Sequence, residues 1–472
     1  MFNWGDILTS NGFIYSSIIM LVLNIVNRLI DFVYDVLLSN ILGAEAIGWF
    51  QIGMSTLMTF IIITTSGIPT AISKLIAEEN SKNNKRNVEK IYKATIIFNL
   101  FLSIILAIIL LIFSDFIVIK IFKNEHLIYG VYSLAPAIVI LSLSNVYRAY
   151  FYGMKNVVTP SIAQIIEHFT RFIIIIGILM VIRPVDPLQG AIIALFGISI
   201  GEFFDLLFSY VSKKRLYKYN LNNSNNENNS IMLLSKVLMV SFPLTISGFF
   251  SVILRFTNTL LIPSRLVTAG YTSSESIATL GRINGMVMPL TFVYIVLSKP
   301  IAIFLYNDPI VADYIHIMGY GTIFLALQHT LAGILYGLNK HIVATFNRLI
   351  GMVLGVFIIY FLVGNPDFGI NGYFISFFVS NIVVILLDIS TLRRVMKLEL
   401  DYYDIIGKPL IASAFMVGYI KMTTYDLNNL QNGNLFGFIF SLSIAALSYI
   451  FVLILTRAIP KDLLSRILKA NK

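Results

Sequence analysis

Long apolar stretches recur along the chain with the length that a membrane protein requires. About 20 apolar residues are enough for a helix to cross the hydrocarbon core of a bilayer. The first stretch is longer than the core of a signal peptide, so we expect it to be a retained helix. Thirteen such segments can be placed, at 12–39, 46–73, 91–113, 128–152, 157–182, 188–212, 231–262, 276–297, 311–337, 341–363, 368–392, 405–423 and 434–457.

Polar residues divide these segments into two groups. The Asn-rich stretch 213–230 has too few apolar residues to pack, so we predict a flexible cytoplasmic linker there. Residues 1–212 then form a first lobe of six helices, and residues 231–392 form a second, shortened lobe of about five segments. Residues 393–472 supply two trailing helices and a basic tail. The predicted fold class is therefore all-α, a polytopic membrane protein.

Composition agrees with a bilayer protein and excludes several kinds of site. Hydrophobic residues make up 57% of the chain and charged residues 12%, and the mean hydropathy is +0.83. The sequence has no cysteine, which excludes disulfides and thiolate metal sites, and its five histidines lack the spacing of a zinc enzyme. We therefore predict no catalytic residue, metal or other cofactor, and we assign the net charge of +10 to cytoplasmic loops and not to nucleic acid.

Basic loops orient the helices, because cytoplasmic loops of membrane proteins carry an excess of Lys and Arg. The loop after the second segment is basic, as are the turn at Lys155 and the pair Arg393 and Arg394. The loops around Glu125 and Asp186 are poorer in such residues. We predict a multi-pass protein of the cell membrane with both termini in the cytoplasm.

An internal repeat relates the two lobes. The stretch from Ser114 matches the stretch from Ser298 without gaps, so their numbers differ by 298 − 114 = 184, the shorter offset. The stretch from Arg28 matches the stretch from Arg255, where the numbers differ by 255 − 28 = 227, the longer offset. Two similar lobes that bind a substrate where they meet are a common transporter design. The longer offset exceeds the shorter by 227 − 184 = 43, so the second lobe lacks one helix of the first.

The missing residues fall after about Pro289, and this creates a conflict in topology. The chain passes from an outside loop near Ser264 to an inside loop at Lys340, so it must cross the membrane an odd number of times between them. Only two candidate segments lie there. We therefore expect the run 276–306 to be bent or re-entrant, because too few apolar residues follow Lys299 to cross the bilayer.

Charged residues inside the apolar segments mark a candidate binding region. In the first segment, polar side chains recur at three- and four-residue steps and share one helix face: Asn24, Asn27, Arg28, Asp31 and Asp35. A charge at the centre of a membrane helix costs roughly 2.5 to 3.5 kcal/mol on insertion scales. The stripe must therefore face a wet cavity or a charged partner. For the carboxylates, the alternative is an ion pair with Arg28 that only joins helices.

Two later segments carry similar residues. The seventh bears a polar stripe without an acid, formed by Ser247, Ser251, Arg255 and Asn258. On the eighth, Arg282 could line the cavity, while the neighbouring Gly281 and Gly285 equally suit close helix packing.

Polar residues of the fourth, fifth and sixth segments have simpler interpretations. Glu167 and Arg171 are four residues apart and can pair with each other, while Glu202 and Asp205 form a further acidic stripe. We expect Arg148, near a cytoplasmic end, to reach the membrane interface by snorkelling.

The second segment carries its own helix breaker. Pro69 removes a backbone donor and Gly67 lowers the cost of bending, so we predict a hinge close to the cytoplasmic end. The basic, amphipathic stretch that follows could lie on the anionic inner leaflet. The alternative is an ordinary proline kink followed by a solvated loop.

Several strings resemble a known family: "SGIPTAISKLIAEEN", "DFVYDVLLSNILGAEAIGWFQIG", "RAYFYGMKN" and "LLIPSRLVTAGYTSSESIATLGRINGM". They are similar to the stage V sporulation protein B branch of the polysaccharide exporters, within the multidrug/oligosaccharidyl-lipid/polysaccharide flippase superfamily that includes the lipid II flippases. The resemblance implies two six-helix lobes plus two trailing helices, and outward movement of polyprenyl-pyrophosphate-linked sugars by alternating access. It also implies cavity-lining roles for Arg28 and Asp35. A third position that is basic in the lipid II flippases is Tyr34 here.

These observations together predict a flippase for a lipid-linked saccharide in cell-envelope or spore-cortex peptidoglycan synthesis. We expect Arg28 and Arg255 to bind the pyrophosphate, because guanidinium forks match phosphate oxygens. One alternative is a cation-coupled multidrug exporter that uses Asp31 or Asp35 as ion sites. Another is a scaffold that does not transport and recruits envelope-synthesis enzymes, which are also possible partners of a flippase.

Overall fold

The structure, a computed structural model, describes residues 10–184, 186–216, 229–288, 294–338 and 340–395, with scattered residues between 407 and 456. Every regular element in this part of the chain is a helix. The α-helices are α1 (Ser10–Thr65), α2 (Gly67–Ser81), α3 (Lys85–Ile112), α4 (Ser114–Phe116), α5 (Ile128–Gly153), α6 (Val158–Ile182), α7 (Pro187–Leu216), α8 (Ser230–Thr268), α9 (Ser273–Gly281), α10 (Tyr294–Tyr306), α11 (Pro309–Gly337), α12 (His341–Ile358) and α13 (Asn371–Val395). The predicted all-α fold class is confirmed.

The helices match the predicted membrane segments in the described residues, except that the segment 276–297 is divided among α9, a π-helical turn and the start of α10. Among the described residues, nine helical runs are long and apolar enough to cross a membrane. One of these runs, Ile19–Ser81, contains two predicted segments, because α1 kinks at Gly43, where φ is 78°. The predicted trailing segments 405–423 and 434–457 lie largely outside the described residues.

Helix bounds reproduce the shorter offset of the repeat. Helices α5 and α11 end at Gly153 and Gly337, and helices α7 and α13 begin at Pro187 and Asn371. These helix ends and helix starts are separated by the same 184 residues as the aligned sequence stretches, so the repeat is present in the backbone as well as in the sequence. The two pseudo-repeated halves of the predicted fold are therefore present in the structure.

The kink of α1 also has a counterpart at the longer offset. Gly43 and Gly270 both have positive φ values, of 78° and 102°. Only glycine adopts this backbone region without a steric penalty. A glycine with positive φ therefore interrupts the first long helix of one copy, at Gly43, and follows that of the other, at Gly270.

The copies differ after that glycine. The first continues through α2 and α3, whereas the second has α9, a π-helical turn at Arg282–Val287 and then α10. Only residues 288–293 separate this turn from α10, which leaves no room for a counterpart of α2 and α3. Residues 289–293 of the predicted re-entrant stretch 276–306 lie outside the described residues. The path of that stretch across the membrane stays a prediction.

Helix α2 does not expose an apolar face to a membrane surface, contrary to the expectation for the basic stretch after Pro69. Its Ile68, Ile72 and Ile76 are buried in a core cluster with residues of α3, α5 and α8. The amphipathic pattern was correct, but the apolar face packs on helices of the same protein because they offer a matching buried surface.

The first residues of the predicted linker 213–230 are helical, because α7 continues to Leu216. Lys213 Nζ lies 3.0 Å from a carboxylate oxygen of Glu89 and 4.0 Å from the ring centre of Tyr92. This ion pair and cation–π contact stabilise the last turn of α7 against α3. Residues 217–228 of the linker lie outside the described residues.

The chain forms two compact units. One contains the described residues of Tyr15–Pro289 and Lys340–Val384, and the other contains those of Leu290–Asn339 and of the two chain ends. All candidate site residues belong to the first unit. The predicted lobe boundaries stay predictions.

Candidate functional site

A cluster of charged residues connects three membrane helices inside the first unit. Arg148 of α5 lies 2.8 Å from a carboxylate oxygen of Glu167 on α6 and 3.4 Å from one of Glu202 on α7. It also pairs with Asp205 of α7, whose second oxygen accepts a hydrogen bond from Ser209 Oγ at 3.0 Å. The prediction that Arg148 snorkels to the interface is wrong. Three buried carboxylates hold its guanidinium inside the helix bundle.

The same carboxylates have the spacing of a metal site. Oxygens of Glu167, Glu202 and Asp205 lie within 4.8 Å of one another, and all three residues are buried. The guanidinium of Arg148 contacts each of them, so it supplies the positive charge that a metal ion would bring. This arrangement favours a structural ion cluster that joins α5, α6 and α7.

The charged stripe of α1 meets α6. Asp31 lies 2.8 Å from Nδ1 of His168 and 3.3 Å from a guanidinium nitrogen of Arg171. The guanidinium of Arg171 also lies 5.3 Å from the ring centre of Tyr34. A positive charge from α6 therefore lies beside Tyr34.

Two ion pairs were predicted for these carboxylates, and the structure contains one of them. Arg171 and Glu167 form the predicted pair, at 3.8 Å. Arg28 forms no ion pair with Asp31 or Asp35 in the described part of the chain, because Asp31 is held by α6. The sequence showed that these residues share a face of α1, but the helix that faces it could not be read from periodicity.

Arg28 is exposed and lines a shallow, open groove along one face of α1. The groove has a volume of ≈ 570 Å³ and is lined by Met20, Leu21, Asn24, Ile25, Arg28, Leu29 and Phe32. One face of a single helix thus offers a guanidinium and an amide beside apolar side chains. A lipid with a polar head has the same combination of groups.

The other predicted arginine lies on a helix without acids. Arg255 of α8 is exposed, and the charge of Arg348 on α12 acts on it. Asn258, one turn further along α8, has a buried Oδ1 without a hydrogen-bond partner in the described residues. The sequence interpretation missed Arg348. The available signal was an arginine inside the apolar segment 341–363.

Arg282 lies in the π-helical turn after α9, and its charge acts on Glu275 in the first turn of α9. Hydrogen bonds from the backbone and the hydroxyl of Thr272 hold the pKa of Glu275 below its usual range, with a smaller contribution from Arg282. The neighbouring glycines serve packing, as the alternative interpretation proposed. A Cβ on Gly281 would lie 2.0 Å from the carbonyl oxygen of Ala44.

The predicted hinge coincides with a break in the helix. Helix α1 ends at Thr65, Ser66 is bent, and Pro69 is the third residue of α2. The break is packed closely against α8, because a Cβ on Gly67 would lie 2.2 Å from the carbonyl oxygen of Ser241. Movement at this hinge stays a prediction.

Comparison with known proteins agrees with this fold. The sequence profile of a family described as polysaccharide biosynthesis protein matches residues 14–273. Stage V sporulation protein B of Bacillus subtilis strain 168 is 22% identical over 508 residues, which cover 96% of this chain and 97% of the relative.

Two solved structures have a similar fold. One is the lipid II flippase MurJ in an inward closed conformation, with a TM-score of 0.64, 15% identity and coverage of 93% of this chain and 99% of that chain. The other is a MATE family multidrug resistance transporter in an inward-facing conformation, with a TM-score of 0.63, 16% identity and coverage of 79% of this chain and 96% of that chain. At these identities the likeness shows the fold alone.

Proposed function

Because the chain belongs to the polysaccharide biosynthesis protein family, we propose that this multi-pass membrane protein moves a polyprenyl-pyrophosphate-linked saccharide across the cell membrane by alternating access. Its relatives and structural neighbours are a sporulation protein and transporters, including a lipid II flippase. The substrate is then a precursor of peptidoglycan or another envelope polysaccharide, and both termini lie in the cytoplasm. No bond is made or broken, so the protein is a transporter and not an enzyme.

The observation that carries this proposal is the presence of unpaired arginines on membrane helices. Neither Arg28 nor Arg255 contacts a carboxylate in the described part of the chain, and both are exposed. A guanidinium that forms no ion pair with an acid is available to bind phosphate oxygens. The groove along α1 combines Arg28 with apolar side chains, as a polyprenyl pyrophosphate would require.

Most carboxylates of the site fit the multidrug alternative less well. Asp31 is already engaged by His168 and Arg171, and the carboxylates around Arg148 are engaged by its guanidinium. An exporter of organic cations needs a carboxylate that is free to exchange a cation. Asp35 is the acid of the α1 stripe whose side chain forms no ion pair or hydrogen bond within the described residues, so it is where such a cation would bind. The exposed Arg28 and Arg255, which also lack such partners, favour an anionic substrate.

The test is transport by the full chain in proteoliposomes. Fluorescent lipid II and a drug-like organic cation are offered separately, and movement between leaflets is followed by quenching from one side. We expect lipid II to move, and the Arg28→Ala and Arg255→Ala variants to lose most of this activity. Lysine at either position should restore only part of it, because the charge remains and the two-pronged donor is lost.

The matched control is Lys236→Ala, which removes an exposed positive charge from the same helix as Arg255. Its activity should equal that of the unmodified protein. Movement of the cation alone would support the multidrug alternative, and movement of neither compound would support the scaffold. Full activity of the Arg28→Ala, Arg255→Ala double variant would disprove the pyrophosphate assignment.

A further inference from the structure

Helices α3 and α7 both pack against α5 and are joined to each other at one end. Nδ2 of Asn99 on α3 donates to the carbonyl oxygen of Ser142 on α5 at 3.4 Å. The guanidinium of Arg148 joins α5 to α7. Nζ of Lys213, in the last turn of α7, donates to both carboxylate oxygens of Glu89 in the second turn of α3, at 3.1 and 3.0 Å. Because the end of α7 meets the start of α3, these two helices run in opposite directions.

Each of the two helices carries an exposed apolar stripe that ends in a lysine. The members of each stripe recur at three- and four-residue steps and therefore share one helix face. On α3 they are Lys93, Ile97, Phe101 and Ile104, and on α7 they are Phe203, Leu207, Tyr210 and Lys214. Both lysines lie at the end of the pair where Lys213 contacts Glu89.

Both stripes face the same side of the α3–α7 pair. At about 100° per residue, the stripe of α3 is centred about 75° around the helix from Glu89, and that of α7 is centred about 90° from Lys213. The two rotations have the same sense along the chain and the helices are antiparallel, so both stripes turn toward one side. Asn99, which contacts α5, lies about 80° from Glu89 in the opposite sense. The stripes therefore form one surface on the side away from α5, which we call the α3–α7 surface.

The end of this surface that carries the lysines has an excess of positive charge. Nζ of Lys93 and Nζ of Lys213 lie 3.8 and 3.1 Å from the same oxygen of Glu89. The Lys213 side chain is 13% exposed, whereas that of Lys93 is 64% exposed. Lys214 is exposed and forms no ion pair within the described residues. One carboxylate therefore accompanies three ammonium groups, and the two exposed ones are available to a further anion.

Exposed apolar stripes that end in lysines match the structure of a phospholipid. An ammonium group on a long stem reaches the level of the lipid headgroups, while apolar side chains contact the acyl chains. The orientation predicted from the basic loops puts the lysine end at the cytoplasmic leaflet, where anionic lipids attract basic residues. We propose that the α3–α7 surface binds an anionic phospholipid, phosphatidylglycerol, with its phosphate between Lys93 and Lys214 and its acyl chains on the two stripes. The site uses none of the residues assigned to substrate binding.

The charge of the site favours an anionic headgroup over a zwitterionic one. Phosphatidylglycerol carries a phosphate and no cation, so both ammonium groups can donate to it. The trimethylammonium group of phosphatidylcholine would be repelled by the same lysines. A soluble phosphate would bind the lysines but leave the apolar stripes without a ligand.

The experiment measures contact between acyl chains and the full-length protein in phosphatidylcholine vesicles. Phe203→Trp places a fluorescent reporter in the stripe of α7, and dibromo-phosphatidylglycerol or dibromo-phosphatidylcholine is the quencher. Phe169→Trp is the reference reporter, because Phe169 is exposed on α6, outside the α3–α7 surface. At equal mole fractions we expect the phosphatidylglycerol to quench Phe203→Trp more than the phosphatidylcholine does. The two lipids should quench Phe169→Trp equally.

Charge variants made together with Phe203→Trp test the headgroup contact. Lys93→Gln with Lys214→Gln should lower the apparent affinity for dibromo-phosphatidylglycerol about tenfold, because each basic residue at the membrane surface contributes to binding of anionic lipid. Lys93→Arg with Lys214→Arg should retain the affinity, since both positive charges remain. The matched control is Lys74→Gln with Lys155→Gln, which removes two exposed lysines that lie on α2 and after α5. Its affinity should equal that of Phe203→Trp alone.

Three results would overturn the inference. Equal quenching of Phe203→Trp by the two lipids would show contact with the bulk bilayer and no binding site. Equal affinities of the Lys93→Gln, Lys214→Gln variant and its control would show that the lysines do not bind the headgroup. Reversal of the quenching by excess glycerol 3-phosphate would show that the lysines bind a soluble phosphate and not a lipid. Each of these results leaves the proposed function standing, because that is tested by transport of lipid II.

Discussion

Arg148 shows how a single residue can join three helices in a membrane protein. Its guanidinium contacts carboxylates on α6 and α7, and its side chain is only 13% exposed. Removing one partner of a buried ion pair is more damaging than never having the pair, because the remaining charges stay buried without compensation. Here three carboxylates contact the guanidinium of Arg148, and Glu167 also lies 3.8 Å from that of Arg171.

We therefore expect Arg148→Met to destabilise the protein by about 3–5 kcal/mol. The free energy of unfolding can be measured by denaturant titration of the purified protein in detergent micelles. Lys82→Met is the control, because Lys82 pairs with Glu79 at 3.6 Å but is 66% exposed. Loss of such a surface pair should cost less than about 1 kcal/mol. Equal effects of the two changes would contradict the structural role of Arg148.

The sequence allowed some of these residue roles to be predicted and not others. The i, i+4 pair of Glu167 and Arg171 follows from helical spacing alone, and the structure contains it. The partners of Asp31 and Arg148 lie on other helices. Asp31 pairs with Arg171, 140 residues further along the chain, and Arg148 pairs with Asp205, 57 residues further along. Periodicity shows which residues share a helix face but not which helix packs there, so these long-range pairs could not be predicted.

At the scale of elements, close packing of helices depends on glycine. A Cβ on Gly48 of α1 would lie 2.1 Å from the carbonyl oxygen of Ile277 on α9, and one on Gly281 would lie 2.0 Å from that of Ala44. Small residues four apart let the two backbones approach: Ala44 and Gly48 on α1, and Gly281 with Gly285 in the π-helical turn that follows α9. Because the obstructing atoms belong to the backbone, side-chain rotation cannot relieve a clash.

Gly281→Ala should therefore separate α9 from α1 and destabilise the protein by about 1–3 kcal/mol, as overpacking does. The control is Gly333→Ala on α11, where an added Cβ meets no atom within 4 Å. That change should stabilise the helix by up to about 1 kcal/mol, because alanine has the higher helix propensity. Thermal unfolding of the two variants in the same detergent gives the comparison. Equal stability of both variants would contradict the packing argument.

The break between α1 and α2 gives a prediction about transport. Pro69→Ala supplies an amide hydrogen that can donate to the carbonyl oxygen of Thr65, so α1 can continue into α2. If bending at this break is part of the transport cycle, lipid II should move more slowly while membrane insertion is unchanged. Pro160→Ala is the control, because Pro160 is also the third residue of its helix but follows a turn and not another helix. Unchanged transport by Pro69→Ala would make the break a static kink.

At the scale of the whole molecule, the repeat is the feature that the sequence predicted best. Helix ends and helix starts in the two copies are related by the shorter offset, and the positive-φ glycines Gly43 and Gly270 are related by the longer offset. Both offsets could be detected in the sequence because the aligned copies preserve the order of apolar and polar residues. The close packing of α2 on α8 could not be predicted from the repeat, since the second copy has no counterpart of α2 among the described residues.

The repeat also predicts which side of the membrane each end of α11 faces. Lys123 and Asn307 are related by the shorter offset and have φ values of 54° and 49°, just before α5 and α11. Helix α11 has 29 residues, about 43 Å of helix, which is enough to cross the bilayer. We therefore expect Asn307 and Lys340, which flank the helix, to lie on opposite sides.

Single cysteines placed in the cysteine-free chain test this topology. We expect an impermeant thiol reagent to label Asn307→Cys from outside intact cells, and to label Lys340→Cys only after the membrane is opened. The repeat supplies the controls, because Lys123→Cys should behave like the first variant and Lys155→Cys like the second. Labelling of Asn307→Cys and Lys340→Cys from the same side would disprove a complete crossing by α11. Inversion of all four results would keep the crossing and reverse the orientation predicted from the basic loops.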